Sequence, residues 1–283
     1  MIRKMINLFI VSLVFTVIIG IFPNLSVKAA EVEEATINTI QENLQQTLKD
    51  ENIIVEDLDI TSSNLSLSTS LKDATGDVNK VEVEIVPGKS YITVNSEEVT
   101  ELGKKESKKY KIDLAHMQLN ENSFKGIFTD VDTKQKFSYD TELGTASLIF
   151  LIPIGIVMTP AILTALFHTG AMIIVGGAAY VIATQAKKDK KYSHFSATVK
   201  SGGVYIGKGL SKSEAVTRLK SNKDTWSISK NQAKGVAASA NPTGQPLHEV
   251  DKLNGKPKKG YYYHYHPAMR TPKSHAFYGG PVN

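Results

Sequence analysis

Histidines and cations gather in the last twenty-four residues of the chain, from Gly260 to Asn283. This tail holds three of the seven histidines, and its only charged side chains are two cations. Imidazoles exchange protons or bind metal ions near neutral pH, and a nearby cation can hold an anion. Prolines and glycines break the tail into short pieces, which is typical of a site rather than of a core. The residues expected to carry chemistry are His264, His266, His275, Arg270 and Lys273.

Spacing within the tail predicts how these side chains meet. In an extended strand, Tyr262, His264 and His266 would share one face, with the two imidazoles about 7 Å apart. The intervening tyrosines would form an aromatic surface on the other face. Pro267 closes the strand, and the residues after a second proline turn are near enough in the chain to fold back over the histidine face. These are Arg270, Lys273, Ser274 and His275.

One chemistry that fits is metal-free cleavage of RNA. One imidazole would take a proton from a ribose 2′-hydroxyl, and another would return a proton to the leaving oxygen. Arg270 would stabilise the charge that develops on the phosphate. This interpretation assigns catalysis to His264, His266 and His275. It assigns substrate binding to Arg270, Tyr262, Lys273 and Ser274, with no metal and no cofactor.

A second chemistry uses a metal ion. His264 and His266 would bind a divalent metal from one strand face, with His275 or His248 and Glu249 completing the shell. Carboxylates are scarce in this part of the chain, and hard metal ions prefer oxygen ligands, so the sequence favours the metal-free chemistry. A third interpretation is a binding surface without catalysis, because tyrosine and histidine are common on such faces.

The start of the chain has the pattern of a secretory signal. Arg3 and Lys4 precede an apolar run, and small residues follow it, so residues 1–29 are predicted to be a signal peptide, cleaved after Ala29 or Ala30. An uncleaved anchor helix is the alternative. The chain has no cysteine, which excludes a Cys–His nucleophile, thiolate metal ligands and disulfides.

Charge divides the chain into two halves. Residues 31–146 hold 12 Lys and Arg against 23 Asp and Glu, a net charge of −11. Residues 187–283 hold 18 against 5, a net charge of +13, so the overall charge of +5 conceals the division. A basic half suggests nucleic acid or an anionic surface as partner, although a generic basic domain is the plain alternative.

The acidic half, residues 30–145, is predicted to be an exported antiparallel β-rich domain behind one helix. Helical spacing covers Glu31 to about Asp50, and apolar residues then alternate with polar ones, as at Val81, Val83 and Ile85. Residues 124–128 and 136–139 are expected to pair as a hairpin.

The segment between the halves is apolar. No charged residue occurs from Leu148 to Thr184, and this length exceeds the roughly 20 residues that cross a bilayer. Residues 146–186 are therefore predicted to be a membrane segment, as a single pass or as a helical hairpin. A buried helical pair is the alternative.

Residues 192–283 are predicted to form a small basic α+β domain. A hairpin turns at residues 201–203, and a capping box from Ser211 to Glu214 opens a short helix. Ser229 and Gln232 repeat that signature before a second helix.

The layout of the chain resembles a family of secreted toxins of Gram-positive bacteria. The specific part is the tail YYYHYHPAMRTPKSHAFYG, within about Trp226–Gly280, which is similar to C-terminal modules of polymorphic toxins. The resemblance implies a nuclease or another intracellular poison, encoded beside a dedicated immunity protein.

The expectation is thus an antibacterial toxin, secreted or held at the cell surface or membrane, with RNA as substrate. Its partners would be an immunity protein and a membrane bound through residues 146–186. The main alternative is a non-enzymatic toxin that permeabilises membranes through residues 148–184. A surface protein that only presents a binding domain is a further one.

Overall fold

The computed structural model describes residues 37–72, 76–99, 103–119, 123–142, 153–184 and 191–282. The predicted signal peptide and its cleavage site lie outside these residues. The described part of the chain is α+β, with four α-helices and two large, mainly antiparallel sheets. This agrees with the fold class predicted for the two halves.

The first helix, α1 (Ile37–Lys49), carries its apolar side chains on one stripe. Ile40, Leu44 and Leu48 recur every four residues and are buried, as expected for an amphipathic helix that packs on a sheet. The predicted helix is thus confirmed from Ile37 onward, while residues 31–36 lie outside the described chain.

The first sheet is antiparallel, with strand order β1-β2-β3-β4-β5-β7-β6, and β8 also pairs with β7. The hairpin predicted between residues 124–128 and 136–139 is confirmed by the pairing of β7 with β8. Buried positions alternate along the strands, as at Val81, Val83 and Ile85. The strands are β1 (Ile53–Ile60), β2 (Leu65–Lys72), β3 (Val78–Ile85), β4 (Tyr91–Val99), β5 (Lys105–Asp113), β6 (Gln118–Leu119), β7 (Phe124–Asp130) and β8 (Lys136–Asp140).

The predicted membrane segment folds differently from the expectation. Its described residues form α2 (Ile154–His168) and the strands β9 (Met172–Val175) and β10 (Ala178–Ile182). Among the helices of the described chain, none combines the length and the apolar character needed to cross a bilayer. The segment is interrupted because the chain turns at Gly170 and again at Gly176-Gly177, all three with positive φ.

Burial inside the protein accounts for the apolar character of this segment. Helix α2 lies against α1, β3 and β4, while β10 pairs with a strand of the second sheet. A segment covered on both sides reads as continuously apolar whether the cover is lipid or protein. The prediction of a membrane-spanning segment at residues 146–186 is therefore not supported.

The second sheet runs β14-β17-β18-β13-β11-β12-β10-β9 and is antiparallel except where β13 pairs parallel with β18. It begins inside the predicted membrane segment, upstream of residue 192. Its remaining strands are β11 (His194–Lys200), β12 (Gly203–Leu210), β13 (Thr225–Ser227), β14 (Leu247–Glu249), β17 (Tyr262–His266) and β18 (Ala276–Pro281). A short separate hairpin pairs β15 (Lys252–Leu253) with β16 (Lys256–Pro257).

Two helices cover one face of this sheet, α3 (Lys212–Lys220) and α4 (Lys230–Ala240). Both predicted N-terminal caps are confirmed: Ser211 and Glu214 form the capping box, and Ser229 accepts from the N–H of Gln232. Apolar residues of both helices pack with Tyr265 and Ala276 of the sheet. The residues of opposite parity on β17 and β18 face away from these helices.

A turn of the first sheet holds the two sheets together. The Gly88 N–H donates to Ala179 O at 2.7 Å, and the Ala179 N–H donates to Lys89 O at 3.0 Å. Gly88 has a φ of +80°, and a Cβ there would lie 2.5 Å from the Cα of Lys208. Buried apolar residues form one continuous cluster from Ile40 in α1 to Phe277 in β18.

Candidate trihistidine site

Strand β17 places two histidines on the sheet face opposite α3 and α4. His264 lies opposite Phe277 of β18, and the ring centroids of His264 and His266 are 5.0 Å apart. Tyr265, of the other parity, packs with the helices instead. The predicted sharing of one face by Tyr262, His264 and His266 is confirmed.

The third histidine arrives through the parallel pairing of β13 with β18. Thr225 lies beside Ala276 in that pair, so the residues just before them, Asp224 and His275, are also neighbours. The backbone N–H of His275 donates to Asp224 Oδ1 at 2.8 Å, and its ring Nδ1 lies 2.9 Å from the same oxygen. The His275 ring centroid is 4.6 Å from that of His266 and 5.0 Å from that of His264.

We call His264, His266 and His275 the trihistidine cluster. One ring nitrogen of each lies within 4.8 Å of those of the other two. His264 and His266 are 4% and 7% exposed, whereas the side chain of His275 is 34% exposed. The cluster therefore opens to solvent at His275.

Burial keeps two of these imidazoles neutral. Desolvation lowers the pKa of His264, although the hydrogen bond to the Tyr262 carbonyl opposes the shift. Desolvation, together with the nearby His275 and His264, lowers the pKa of His266 to about 4. Both rings are uncharged at neutral pH, which suits a proton acceptor or a metal ligand better than a proton donor.

The hydrogen-bond partners determine which ring nitrogen carries each proton. His264 Nδ1 lies 3.0 Å from Tyr262 O, and a carbonyl only accepts, so this nitrogen is protonated. By the same reasoning His275 Nδ1 donates to Asp224. His266 Nε2 lies 3.4 Å from Glu249 Oε2. His266 Nδ1 is buried and has no hydrogen-bond partner among the described residues.

Glu249 links the cluster to the predicted phosphate-binding residue. It lies opposite His264 in the pairing of β14 with β17, and its other oxygen accepts from Arg270. That hydrogen bond is the main reason that the pKa of Glu249 is lowered. Arg270 is exposed at the edge of the cluster, so its guanidinium can reach an anion in solvent.

The other predicted substrate-binding residues lie in different environments. Lys273 is exposed, two residues before His275. Tyr262 is 3% exposed and packs against Phe277, and burial raises the pKa of its hydroxyl. Ser274 is buried and donates to Leu219 O at 2.7 Å. Tyr262 and Ser274 therefore support the site from within the protein, and we do not retain them as substrate contacts.

Asp224 is a residue of the site that sequence reasoning does not identify. Asp224 lies in the loop between α3 and β13 and contacts His275, which is 51 positions away in the chain. Residue spacing in the sequence does not predict a contact over this distance. One signal was available: Asp224 is one of only five acidic residues in the basic half, and an acid that persists in such a setting often has a specific partner.

The predicted aromatic surface lies on the other face of β17. His248 stacks on Tyr263 and Tyr278, with ring centroids 5.7 Å and 5.9 Å away, and its Nε2 lies 2.7 Å from the hydroxyl of Tyr278. His248 is thus a histidine of the same sheet that takes no part in the cluster.

Comparisons of this chain with protein-family models, with curated proteins and with solved structures found no match. The interpretation of the site therefore depends on its own geometry.

Proposed function

We propose that this protein is an exported bacterial toxin whose trihistidine cluster cleaves RNA. The observation that carries the proposal is the convergence of three imidazoles beside an exposed arginine, with one imidazole oriented by a carboxylate. A histidine held by an aspartate through Nδ1 presents its Nε2 to a substrate proton, and the carboxylate stabilises the imidazolium that forms.

His275 is the proton acceptor in this proposal, because it is the most exposed member of the cluster and is bound to Asp224. It takes the proton of the 2′-hydroxyl, the 2′-oxygen bonds to phosphorus, and the bond to the 5′-oxygen breaks. Arg270 stabilises the phosphate charge. The proton then passes from the His275 imidazolium to the leaving oxygen, because the lowered pKa of His264 and His266 makes those two rings poor proton donors.

Charge and aromatic side chains support RNA as the substrate. The basic half has a net charge of +13, and Lys252 and Lys256 are exposed on the hairpin that follows β14. Single-stranded RNA is held by cations along its backbone and by aromatic rings that stack on its bases. The stacked rings around His248 lie at the same end of the sheet as Glu249 and offer such a platform.

The toxin context rests on the chain's leader-like start and on the resemblance of its tail. On this proposal the protein is secreted or attached at the cell surface, its target cell is bacterial, and an immunity protein binds its basic domain. Membrane permeabilisation through residues 148–184 is the weaker alternative, because many apolar side chains of its described part are buried in the protein core.

The test uses the purified full chain with a labelled single-stranded RNA and a DNA of the same sequence. We expect cleavage of the RNA alone, since DNA lacks the 2′-hydroxyl. His275→Ala should lower the rate by about 100-fold or more, the usual contribution of a general base. His116→Ala is the matched control, because His116 is an exposed histidine between β5 and β6, outside both the cluster and the aromatic surface. It should leave the rate within about threefold, as no proton transfer is assigned to it.

Two results would contradict the proposal: no RNA cleavage with or without added Mg²⁺, Mn²⁺ or Zn²⁺, or a rate that His275→Ala leaves unchanged. Thermal melts of both variants would show that they remain folded. In cells, cytosolic synthesis of residues 30–283 should arrest growth, and His275→Ala should relieve the arrest.

A further inference from the structure

Each imidazole of the trihistidine cluster has one ring nitrogen engaged and one left over. His264 Nδ1 donates to a backbone carbonyl, His275 Nδ1 donates to Asp224, and His266 Nε2 faces Glu249. Histidines that bind metals almost always donate their other ring N–H to a carbonyl or a carboxylate, which fixes the ring and its tautomer. The nitrogens left for a ligand are His264 Nε2, His266 Nδ1 and His275 Nε2.

The strongest indication is the orphaned nitrogen of His266. The residue is more than nine-tenths buried, and its Nδ1 has no partner in the described chain. Leaving a buried polar atom unsatisfied costs about 1–3 kcal/mol. A metal ion bound by the cluster would satisfy this nitrogen without any change to the Glu249 contact.

The donor set indicates the class of metal. Three imidazole ligands suit zinc and its neighbours among the transition metals, whereas Mg²⁺ and Ca²⁺ require oxygen ligands. The scarcity of carboxylates in this part of the chain disfavours a hard ion but does not disfavour a metal bound by three histidines. Here the carboxylates of Asp224 and Glu249 lie behind the imidazoles and orient them.

The geometry is close to that of a bound site. Zinc held by imidazoles at about 2.0–2.1 Å keeps the nitrogens roughly 3.3 Å apart in a tetrahedral arrangement. One ring nitrogen of each histidine lies within 4.8 Å of those of the other two, so a pair at that limit would close by about 1.5 Å on binding at such Zn–N distances. Small shifts shared by the three side chains can supply this movement while His275 Nδ1 stays bound to Asp224.

We propose that His264, His266 and His275 bind one transition-metal ion of the zinc class and leave its fourth position open to solvent beside His275. Three protein ligands with an open position characterise catalytic rather than structural zinc. Metal binding does not depend on the RNA-cleaving function. If both hold, cleavage is of the metal-dependent kind, and His275 binds the ion instead of acting as a free base.

The test is titration of the purified, EDTA-treated full chain with Zn²⁺ and, separately, with Co²⁺. We expect one ion per chain, competition with a chromogenic chelator, a rise in melting temperature with zinc, and visible absorption from tetrahedral cobalt. His266→Gln and His275→Gln should each weaken binding by more than about 100-fold, since loss of an orienting group alone costs 10–100-fold. His248→Gln should bind as the wild type does.

The proposal is overturned if the wild-type chain binds no zinc, or if both cluster variants bind it as tightly as His248→Gln does. Because His266 is buried, the His266→Gln variant could fail to fold. In that case zinc binding by His275→Gln, whose substituted side chain is more exposed, decides the test. Zinc binding without RNA cleavage would refute the function and keep the metal site. RNA cleavage that persists in EDTA, with no zinc bound by the wild-type chain, would refute the metal site and keep the proposed function.

Discussion

The carboxylate that holds His275 stands 51 residues before it in the chain. Asp224 accepts from both the backbone and the ring of His275, so one side chain fixes the position, the rotation and the tautomer of the imidazole. Glu249 has a comparable double role, since it contacts His266 and Arg270. Two acids in a basic domain thus organise the residues that were predicted to act.

At the scale of single residues, we predict that Asp224→Asn weakens zinc binding without unfolding the protein. Asparagine keeps an acceptor for the His275 N–H groups but removes the negative charge, so the fold should persist. Zinc affinity, measured by chelator competition, should fall about 10–100-fold. Asp251→Asn is the control, because Asp251 is exposed and its charge acts on His264 without a hydrogen bond between its carboxylate and any histidine that the structure describes. Equal loss in both variants would show that general charge, and not the contact with His275, matters.

Residue-level prediction depended on the range of the contact. Strand periodicity alone places His264 and His266 on one face, and the structure agrees. Contacts between distant strands have no such signature, so the partnership of His275 with Asp224 could not be predicted. A polar side chain is also not a reliable sign of a substrate contact. Tyr262 and Ser274 are predicted to contact the substrate but are buried, because a tyrosine ring and a hydrogen-bonded serine hydroxyl can both be buried at little cost.

At the scale of elements, the sequence predicts those helices and strands whose formation depends on contacts between residues close together in the chain. Both N-terminal caps, the helix stripe of α1 and the β7–β8 hairpin follow from side chains a few residues apart. The apolar stretch from Leu148 to Thr184 was ambiguous, because the lack of charge does not reveal what covers a segment. Its glycines, which end α2 and turn the β9–β10 hairpin, carried the distinguishing information.

The turn at Gly88 provides a test of how the two sheets are joined. Gly88→Ala should lower the free energy of unfolding by more than about 3 kcal/mol, because positive φ costs about 1–2 kcal/mol and the new Cβ overlaps the Lys208 backbone. Gly103→Ala shares the positive φ but meets nothing within 4 Å, so it should cost about 1 kcal/mol. Urea denaturation measures both. Similar losses would mean that the close approach contributes nothing.

At the scale of the molecule, an acidic half and a basic half share one apolar core. The cluster from Ile40 to Phe277 crosses from the first sheet through α2 to the second. A core that is continuous in this way couples the stability of both sheets, since a defect in one removes contacts from the other.

The single tryptophan makes this coupling measurable. Trp226 is 1% exposed in the second sheet, and its Nε1 donates to Gly279 O, so its fluorescence reports that sheet. Phe128→Leu in the first sheet should cost about 1–2 kcal/mol and move the urea midpoint of Trp226 fluorescence as far as that of circular dichroism. A fluorescence midpoint that does not move would show that the sheets unfold separately.

The pairing of β10 with β12 has a consequence for where the chain can be divided. The change in composition suggests a boundary at residue 192. A fragment that began there would lack the β9–β10 hairpin that completes its own sheet. The shortest C-terminal fragment that keeps this sheet intact therefore begins before Met172, inside the apolar stretch.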